Sequence, residues 1–355
     1  MVSLKSNGHQ VLSVGSADKY ALKLKAEGFS HSVVPFNQAG TNLFVEFRTV
    51  LILKKILSEA SADVVLSWTP KGNIYAALAT TGTEIHIIAN VSGLGRAFVH
   101  RTWITFVVRR LLRAALSRAS IVFFQNLDDY HQFAAEHIVD ERKSHLLPGS
   151  GVDLNRFTPA PVLRKGVNDG LCILMIGRLL WSKGVREFVD AARILLIENS
   201  SWRFQILGAP DESDNSGVPP QLLDSWVSEG VIEYLGETED VRPFIASSDC
   251  VVLPSYREGL PRSMLEAAAM SRPILTTDVP GCRDCVEDRI TGFLFLPKDV
   301  ISLVEALNRF KNLDTASRFA MGAAGRRKME LQFDERLVIS RYVAAIESLP
   351  KNAGI

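Results

Sequence analysis

What most constrains this chain is an alternation, met twice, between short β-branched apolar runs and longer stretches of helical periodicity. In the first pass ADVVLSW, EIHIIANVSG, ASIVFFQN and KSHLLPGSGV are separated by KGNIYAALATTG, by a long helical stretch ending near Arg118 and by DDYHQFAAEH. In the second pass LCILMIG, WRFQILG, VIEYLG and DCVVLPS alternate with VREFVDAARILL and VRPFIASS, and the last strand runs into SMLEAAAM. Strands joined in this way predict parallel, doubly wound sheets, their runs apolar throughout because helices cover both faces. Between the passes NRFTPAPVLRKGVNDG (155–170) holds two prolines, two glycines and no periodicity, and reads as a linker. A chain of 355 residues suits two such domains. They are predicted at 1–155 and 156–333, with an amphipathic helix over 334–348 that packs back on the first. Two Rossmann-like α/β domains facing each other across a cleft are the simplest architecture.

Composition narrows the function. With 47% apolar and 22% charged residues the chain is of the soluble globular type. A net charge of +1 argues against nucleic-acid binding as its main role. No apolar run approaches the roughly 20 residues of a membrane span, and the N-terminus lacks a secretory pattern, so the expected location is cytoplasmic. Of four cysteines, Cys282 and Cys285 form a C-x-x-C. A structural zinc needs a second ligand pair, which the chain does not supply, so the spacing is read as incidental and no metal is expected. Cys172 and Cys250 lie in strand-like runs and read as buried small hydrophobes.

The chemistry concentrates in SYREGLPRSMLEAAAMSRP (255–273), which places Glu258 and Glu266 across a Gly-Leu-Pro turn between strand and helix. Pro261 suits a first helical turn, and a helix N-terminus at the carboxyl edge of a parallel sheet favours an anion. Carboxylates accept hydrogen bonds from vicinal hydroxyls, so the pair beside a phosphate-binding turn fits a sugar nucleotide. In MIGRLLWSKGVREF, Gly177 ends a strand, and Arg178 and Lys183 follow on the loop into the next helix. At that same sheet edge the two cations are suited to neutralising a departing diphosphate without a metal.

These residues resemble the family 4 glycosyltransferases, retaining enzymes of the GT-B fold that use nucleotide sugars. The resemblance rests on Glu258-x7-Glu266 within PSYREGLPRSMLEAAAMSRPILTTDVPGCRDCV, on GRLLWSKG and on LLPGSGVDLNRFTP. It implies that Glu258 with Gly259 and Leu260 holds the donor sugar, that Glu266 holds the ribose, and that Arg178 and Lys183 clamp the diphosphate. Pro261 and Gly177 complete the donor side, and Tyr234 to Gly236 resembles the nucleobase-lining segment. The leaving phosphate is then the base for the acceptor hydroxyl. TPKGNIYAALA, NVSGLGRAF and VFFQNLDDYHQF resemble the branch that extends undecaprenyl-diphosphate-linked sugars in O-antigen, capsule or protein-glycan assembly. That branch implies a UDP-hexose or UDP-hexosamine donor and an acceptor side lined by Lys71, Asn90, Gly93 and Gly95.

A lipid-linked acceptor implies membrane contact. Between Glu84 and Asp128 there is no acidic residue but there are six arginines. On a helix through RTWITFVVRRLLRAAL, Arg109, Arg110 and Arg113 are predicted on one side around Phe106, opposite Trp103, Ile104, Val107 and Leu111, forming a basic stripe for an anionic membrane surface. The front of the chain departs from the family: LKSNGHQVLSVGSADKYALKLKAEGF resembles the end of the first helix followed by the second strand, so a first strand and part of the first helix are expected to be missing. Two alternatives to a transferase stand: an inactive nucleotide-sugar-binding remnant, and a UDP-sugar epimerase of GT-B fold.

Overall fold

A computed structural model describes residues 1–36, 42–93, 103–160, 170–211 and 216–350. The chain divides into two compact units, Met1–Leu147 with Ile339–Ile355, and Pro148–Val338. The first holds α1 (Val2–Ser6), β1 (Leu12–Gly15), α2 (Lys19–Ala26), β2 (Ser30–Val33), α3 (Leu43–Glu59), β3 (Val64–Trp68), α4 (Pro70–Ala79), β4 (His86–Val91), α5 (Trp103–Arg118), β5 (Ile121–Phe124), α6 (Leu127–Ala135) and β6 (Ser144–Leu146). Among the described residues β1 and β2 pair in parallel as one sheet, and β3 to β6 form a second parallel sheet in chain order.

Right-handed crossovers in one direction put α4, α5 and α6 on one face of the second sheet. Ile87, Ala89 and Val91 of β4 and Val122 and Phe124 of β5 pack there with Ala76, Leu112, Leu116 and Phe133. Alternate residues point the other way. On that side the Phe123 ring meets Tyr342 of the C-terminal helix, centroids 5.0 Å apart.

The second unit holds β7 (Cys172–Ile176), α7 (Val185–Glu198), β8 (Arg203–Leu207), α8 (Pro220–Ser228), β9 (Glu233–Tyr234), α9 (Arg242–Ser247), β10 (Cys250–Leu253), α10 (Arg262–Ala269), β11 (Ile274–Thr277), α11 (Cys282–Cys285), β12 (Gly292–Phe295), α12 (Val300–Lys311) and α13 (Thr315–Gln332), and α14 (Glu335–Glu347) leaves it. Its strands, all parallel, lie in the order β9-β8-β7-β10-β11-β12. The chain winds outward from β7 to β9, crosses back to β10 and winds outward on the other side, so the strand order reverses between β7 and β10. Every residue of β7 and β10 is buried, as a sheet covered on both faces requires. Arg272, 2% exposed, donates to the carbonyls of Ala160, Ile245 and Ala246 at 2.6–3.0 Å, satisfying chain ends that an apolar side chain would leave bare.

The units part at 147/148, not 155/156. Residues 148–157 belong to the second unit because Arg326 of α13 donates to the carbonyl of Phe157 at 2.6 Å, Val152 bridges Asp334, and the backbone of Gly149 leaves no room for a side chain beside Leu260. Of the expected linker, 161–169 lies outside the described residues. At the other end, α14 changes units near Ile339.

Candidate functional site

In an open doubly wound sheet ligands bind outside the carboxyl ends of the strands, where the strand order reverses. In the second unit that reversal lies between β7 and β10. After β7 comes Gly177, then Arg178, then a short 3-10 turn (Trp181–Lys183) into α7. After β10 come Pro254, Ser255, Tyr256 and Glu258, then α10, for which Pro261 is the N-cap rather than a first-turn residue.

The two loops are joined by a dense set of bonds. The Tyr256 N–H donates to the Ser182 carbonyl at 2.9 Å and the Ser255 hydroxyl to the same oxygen at 3.2 Å. The Ser255 hydroxyl also lies 2.7 Å from Glu258 Oε1, on which Lys183 Nζ converges as an ion pair with both side chains largely buried. Gly184 explains how the turn comes so close: its φ is +75°, and a Cβ there would sit 2.1 Å from the Pro254 carbonyl oxygen. The third wall is the loop after β11. There the Glu258 N–H donates to the Pro280 carbonyl at 3.2 Å, and Gly281, at φ +79°, presses on the carbonyls of Glu258 and Gly259 at distances no Cβ would tolerate.

Glu266 lies on α10, its side chain 14% exposed and 3.3 Å from Arg262. Burial raises its pKa above the usual carboxylate value, opposed by the charges of Arg262 and Arg156. Behind the loop the Tyr256 hydroxyl donates to Glu187 Oε1 at 2.7 Å, and its own pKa is pushed up by burial and by that carboxylate. Lys298 caps the Tyr256 ring at 4.8 Å.

Of the residues singled out in the sequence, Lys183 and Glu258 are in direct contact, with Gly259 and Leu260 following in the same loop. Arg178 is 65% exposed and pairs with Asp211 at 3.1 Å, toward the β8 side. Tyr234 and Gly236 are on that side too: the Tyr234 hydroxyl donates to the Gly208 carbonyl at 3.0 Å, and the Gly208 N–H to the Gly236 carbonyl at 2.8 Å. Gly177, Gly208 and Gly236 thus end β7, β8 and β9 in a row of backbone without side chains. Sequence reasoning missed Ser255, Tyr256, Glu187, Gly208 and Gly281. Gly208 was legible, because WRFQILG ends as LCILMIG does; Glu187 was not, because a first-turn helix glutamate is ordinarily a solvated charge.

In the first unit, Asn90 at the end of β4 is 2% exposed. Its amide nitrogen donates to the Tyr342 hydroxyl, its side-chain oxygen accepts from Gln125 at 3.4 Å, and its carbonyl accepts from Asn73 at 3.1 Å. Lys71 pairs with Glu46 of α3 at 2.6 Å, its ammonium 5.6 Å from the Tyr75 ring. Gly93 has a φ of +118°, and Gly95 lies outside the described residues.

The basic stripe of α5 differs from its prediction. Arg109 pairs with Glu136, whereas Val107 and Leu111, expected to pack, are each 44% exposed beside Phe106 at 60%. The packed side of the helix is Leu112, Ala115 and Leu116, which meet α4, β5 and α6 in the core, with Ala119 just beyond the helix end. Arg110 stacks over Phe106 at 5.6 Å and Arg113 is exposed; Trp103 and Ile104 lie outside the described side chains.

The cysteines are free and buried, with burial pushing Cys282 up to about 12 and Cys285 well above its ordinary value. Such thiols stay protonated at neutral pH. Among the described residues no three His, Cys, Asp or Glu gather as a metal site, and no helix is long and apolar enough to cross a membrane.

Residues 170–312 match the family described as Glycosyl transferases group 1. The chain is 27% identical over 99% of its length, and 94% of the relative's, to the N,N'-diacetylbacillosaminyl-diphospho-undecaprenol alpha-1,3-N-acetylgalactosaminyltransferase of Campylobacter jejuni. Over 78% of its length, and 73% of the relative's, it is 27% identical to the UDP-Gal:alpha-D-GlcNAc-diphosphoundecaprenol alpha-1,3-galactosyltransferase of Escherichia coli. Among solved structures, Anabaena Alr3699/HepE in complex with UDP and glucose superposes with a TM-score of 0.80 at 19% identity, covering 95% of this chain and 92% of that one. A glycosyltransferase from Rickettsia africae gives 0.76 at 20% identity, over 99% and 93%. The chain therefore has the GT-B fold, and over residues 170–312 its second unit is similar to the group 1 glycosyl transferases.

Proposed function

We propose that the chain transfers a hexose or N-acetylhexosamine from a UDP-sugar to an undecaprenyl-diphosphate-linked glycan in the synthesis of cell-surface polysaccharide, with retention of configuration. The observation that carries this reading is the Lys183–Glu258 pair at the reversal point between β7 and β10, with Glu266 buried one helix turn into α10. There Glu258 and the Gly259–Leu260 backbone receive the sugar hydroxyls, and Glu266 accepts from the ribose. Lys183, displaced from Glu258 by the incoming diphosphate, and Arg178, swung from Asp211, hold the phosphates. The open ends of β8 and β9 at Gly208 and Tyr234–Gly236 leave a place for the base.

In the transfer the C1–O bond to the β-phosphate breaks while the acceptor hydroxyl oxygen bonds to C1 on the same face. The departing phosphate oxygen takes the hydroxyl's proton. Charge on the diphosphate is met by Lys183 and Arg178 without a metal ion. The names of the relatives from Campylobacter jejuni and Escherichia coli support the lipid-linked acceptor. Such an acceptor brings the protein to the inner face of the plasma membrane as a peripheral protein, with Phe106, Arg110 and Arg113 of α5 toward the lipid.

The test is to incubate the purified chain with a panel of UDP-sugars and an undecaprenyl-diphosphate-linked sugar, with and without EDTA, and to read product mass and anomeric configuration. One UDP-sugar yielding an α-linked product in both conditions supports the reading. Binding without transfer would favour the inactive remnant, and interconversion of the UDP-sugars themselves would favour an epimerase.

A further inference from the structure

Helix α3 carries two faces of opposite design. Its inner side, Thr49, Leu53 and Leu57, is buried, and the two leucines pack with Tyr75 and Ala79 of α4. Its outer side is not the polar surface that such a helix normally shows to water. Phe44 is 88% exposed, Phe47 65% and Leu51 50%, at the i, i+3, i+7 spacing that lines them up along one edge. Arg48, Lys54 and Lys55 are exposed among them. The helix has two acidic residues. Glu46 is turned inward onto Lys71, and Glu59, at the far end, lies 3.7 Å from Lys55.

Helix α4 packs on α3 through one core and on α5 through another, so α3 and α5 flank it. Its own exposed apolar residue is Leu78, and the outer side of α5 repeats the mixture of apolar and basic groups with Phe106, Leu111, Arg110 and Arg113. In the second unit, exposed large apolar residues such as Ile197, Ile301 and Leu331 sit on three different helices, α7, α12 and α13, the ordinary scatter of a surface facing water.

We propose that the outer face of α3 inserts into the headgroup region of an anionic lipid surface, with Phe44, Phe47 and Leu51 entering the acyl boundary and Arg48, Lys54 and Lys55 engaging the phosphates. Large apolar side chains interleaved with cations, with almost no acid, match an interfacial helix. Charge decides against a second copy of the chain as the occupant: a two-fold contact on this face would bring two sets of three cations together. The inference deepens the peripheral-membrane reading given above and rests on it. It adds that α3, rather than the α5 arginines alone, supplies the apolar anchor.

The experiment is sedimentation of the full chain with vesicles of phosphatidylcholine alone or with phosphatidylglycerol, for the wild type, for Phe44→Ser/Phe47→Ser/Leu51→Ser, and for Arg110→Gln/Arg113→Gln. UDP binding and thermal melting of each variant serve as folding controls. Wild-type binding that needs phosphatidylglycerol and falls at least about tenfold in the α3 variant, with melting and UDP binding unchanged, supports the proposal. Full binding by the α3 variant together with loss in the α5 variant overturns it and leaves the membrane reading standing. No wild-type binding to either vesicle overturns both. A concentration-dependent dimer that the α3 substitutions abolish overturns it in favour of a second copy.

Discussion

The two units are both parallel α/β assemblies, yet they put their chemistry in different places. In the second, everything notable sits at one edge of one sheet: two loops from neighbouring strands, a Lys–Glu pair between them, and glycines wherever backbone meets backbone. In the first, the corresponding sheet edge is occupied by a buried amide network around Asn90, and the unusual groups face outward on helices. Thus the same architecture can gather polar groups on loops at one sheet edge, as in the second unit, or leave apolar groups on helix exteriors, as in the first.

That contrast breaks first at Lys183. If Lys183 meets the charge of the departing diphosphate as proposed, Lys183→Ala should lower the transfer rate by about 10²–10³-fold at saturating donor. A loss below threefold, measured in initial rates, would move the phosphate site elsewhere. Next in size is Gly184→Ala, which drives a Cβ against the Pro254 carbonyl at a left-handed φ. It should cost about 2–3 kcal/mol in denaturant unfolding, whereas Gly82→Ala in the first unit, at φ +78° with open space around it, should cost about 1 kcal/mol. Equal costs would mean that the loop junction yields.

Glu266 sharpens the comparison through pH. Its raised pKa means that the folded state holds the proton more tightly than the unfolded state does, so its contribution favours folding below the unfolded pKa and is lost as pH rises through the folded value. Glu266→Gln removes that loss, so its stability relative to wild type should be greater at pH 7 than at pH 4. A difference that is the same at both pH values would show that Arg262 and Arg156 already compensate the burial. The smallest effect belongs to the first unit: Arg109→Gln breaks a partly exposed pair with Glu136 and should change stability by no more than about 1 kcal/mol.

The candidate site of the second unit was partly legible in the sequence because it is made of contiguous segments. A strand, a turn and a helix start appear in one line of text, within which Glu258 and Glu266 can be picked out, and Lys183 stands out in a second such segment 75 positions earlier. The links holding that site together were not legible: the Tyr256–Glu187 bond spans 69 positions, and the seat of Gly281 against Glu258 depends on the third strand of the group. The first half was legible as strands and helices but not as surfaces. Periodicity marks Val107 and Leu111 as apolar without saying which side of α5 the core covers, and in α3 it cannot separate Leu53, which is buried, from Leu51, which is half exposed. Which apolar residue faces water is settled by which neighbour arrives, and that neighbour is distant in sequence.

The central claim is that a sugar nucleotide binds at the carboxyl ends of β7 and β10. Calorimetric titration of UDP-sugars into the wild type, Glu266→Ala and Phe44→Ser/Phe47→Ser/Leu51→Ser tests it most directly. Saturable binding of one UDP-sugar by the wild type and by the α3 variant is expected, with affinity at least about tenfold weaker in Glu266→Ala, as loss of hydrogen bonds to a charged group entails. Unchanged affinity in a well-folded Glu266→Ala protein would contradict the claim.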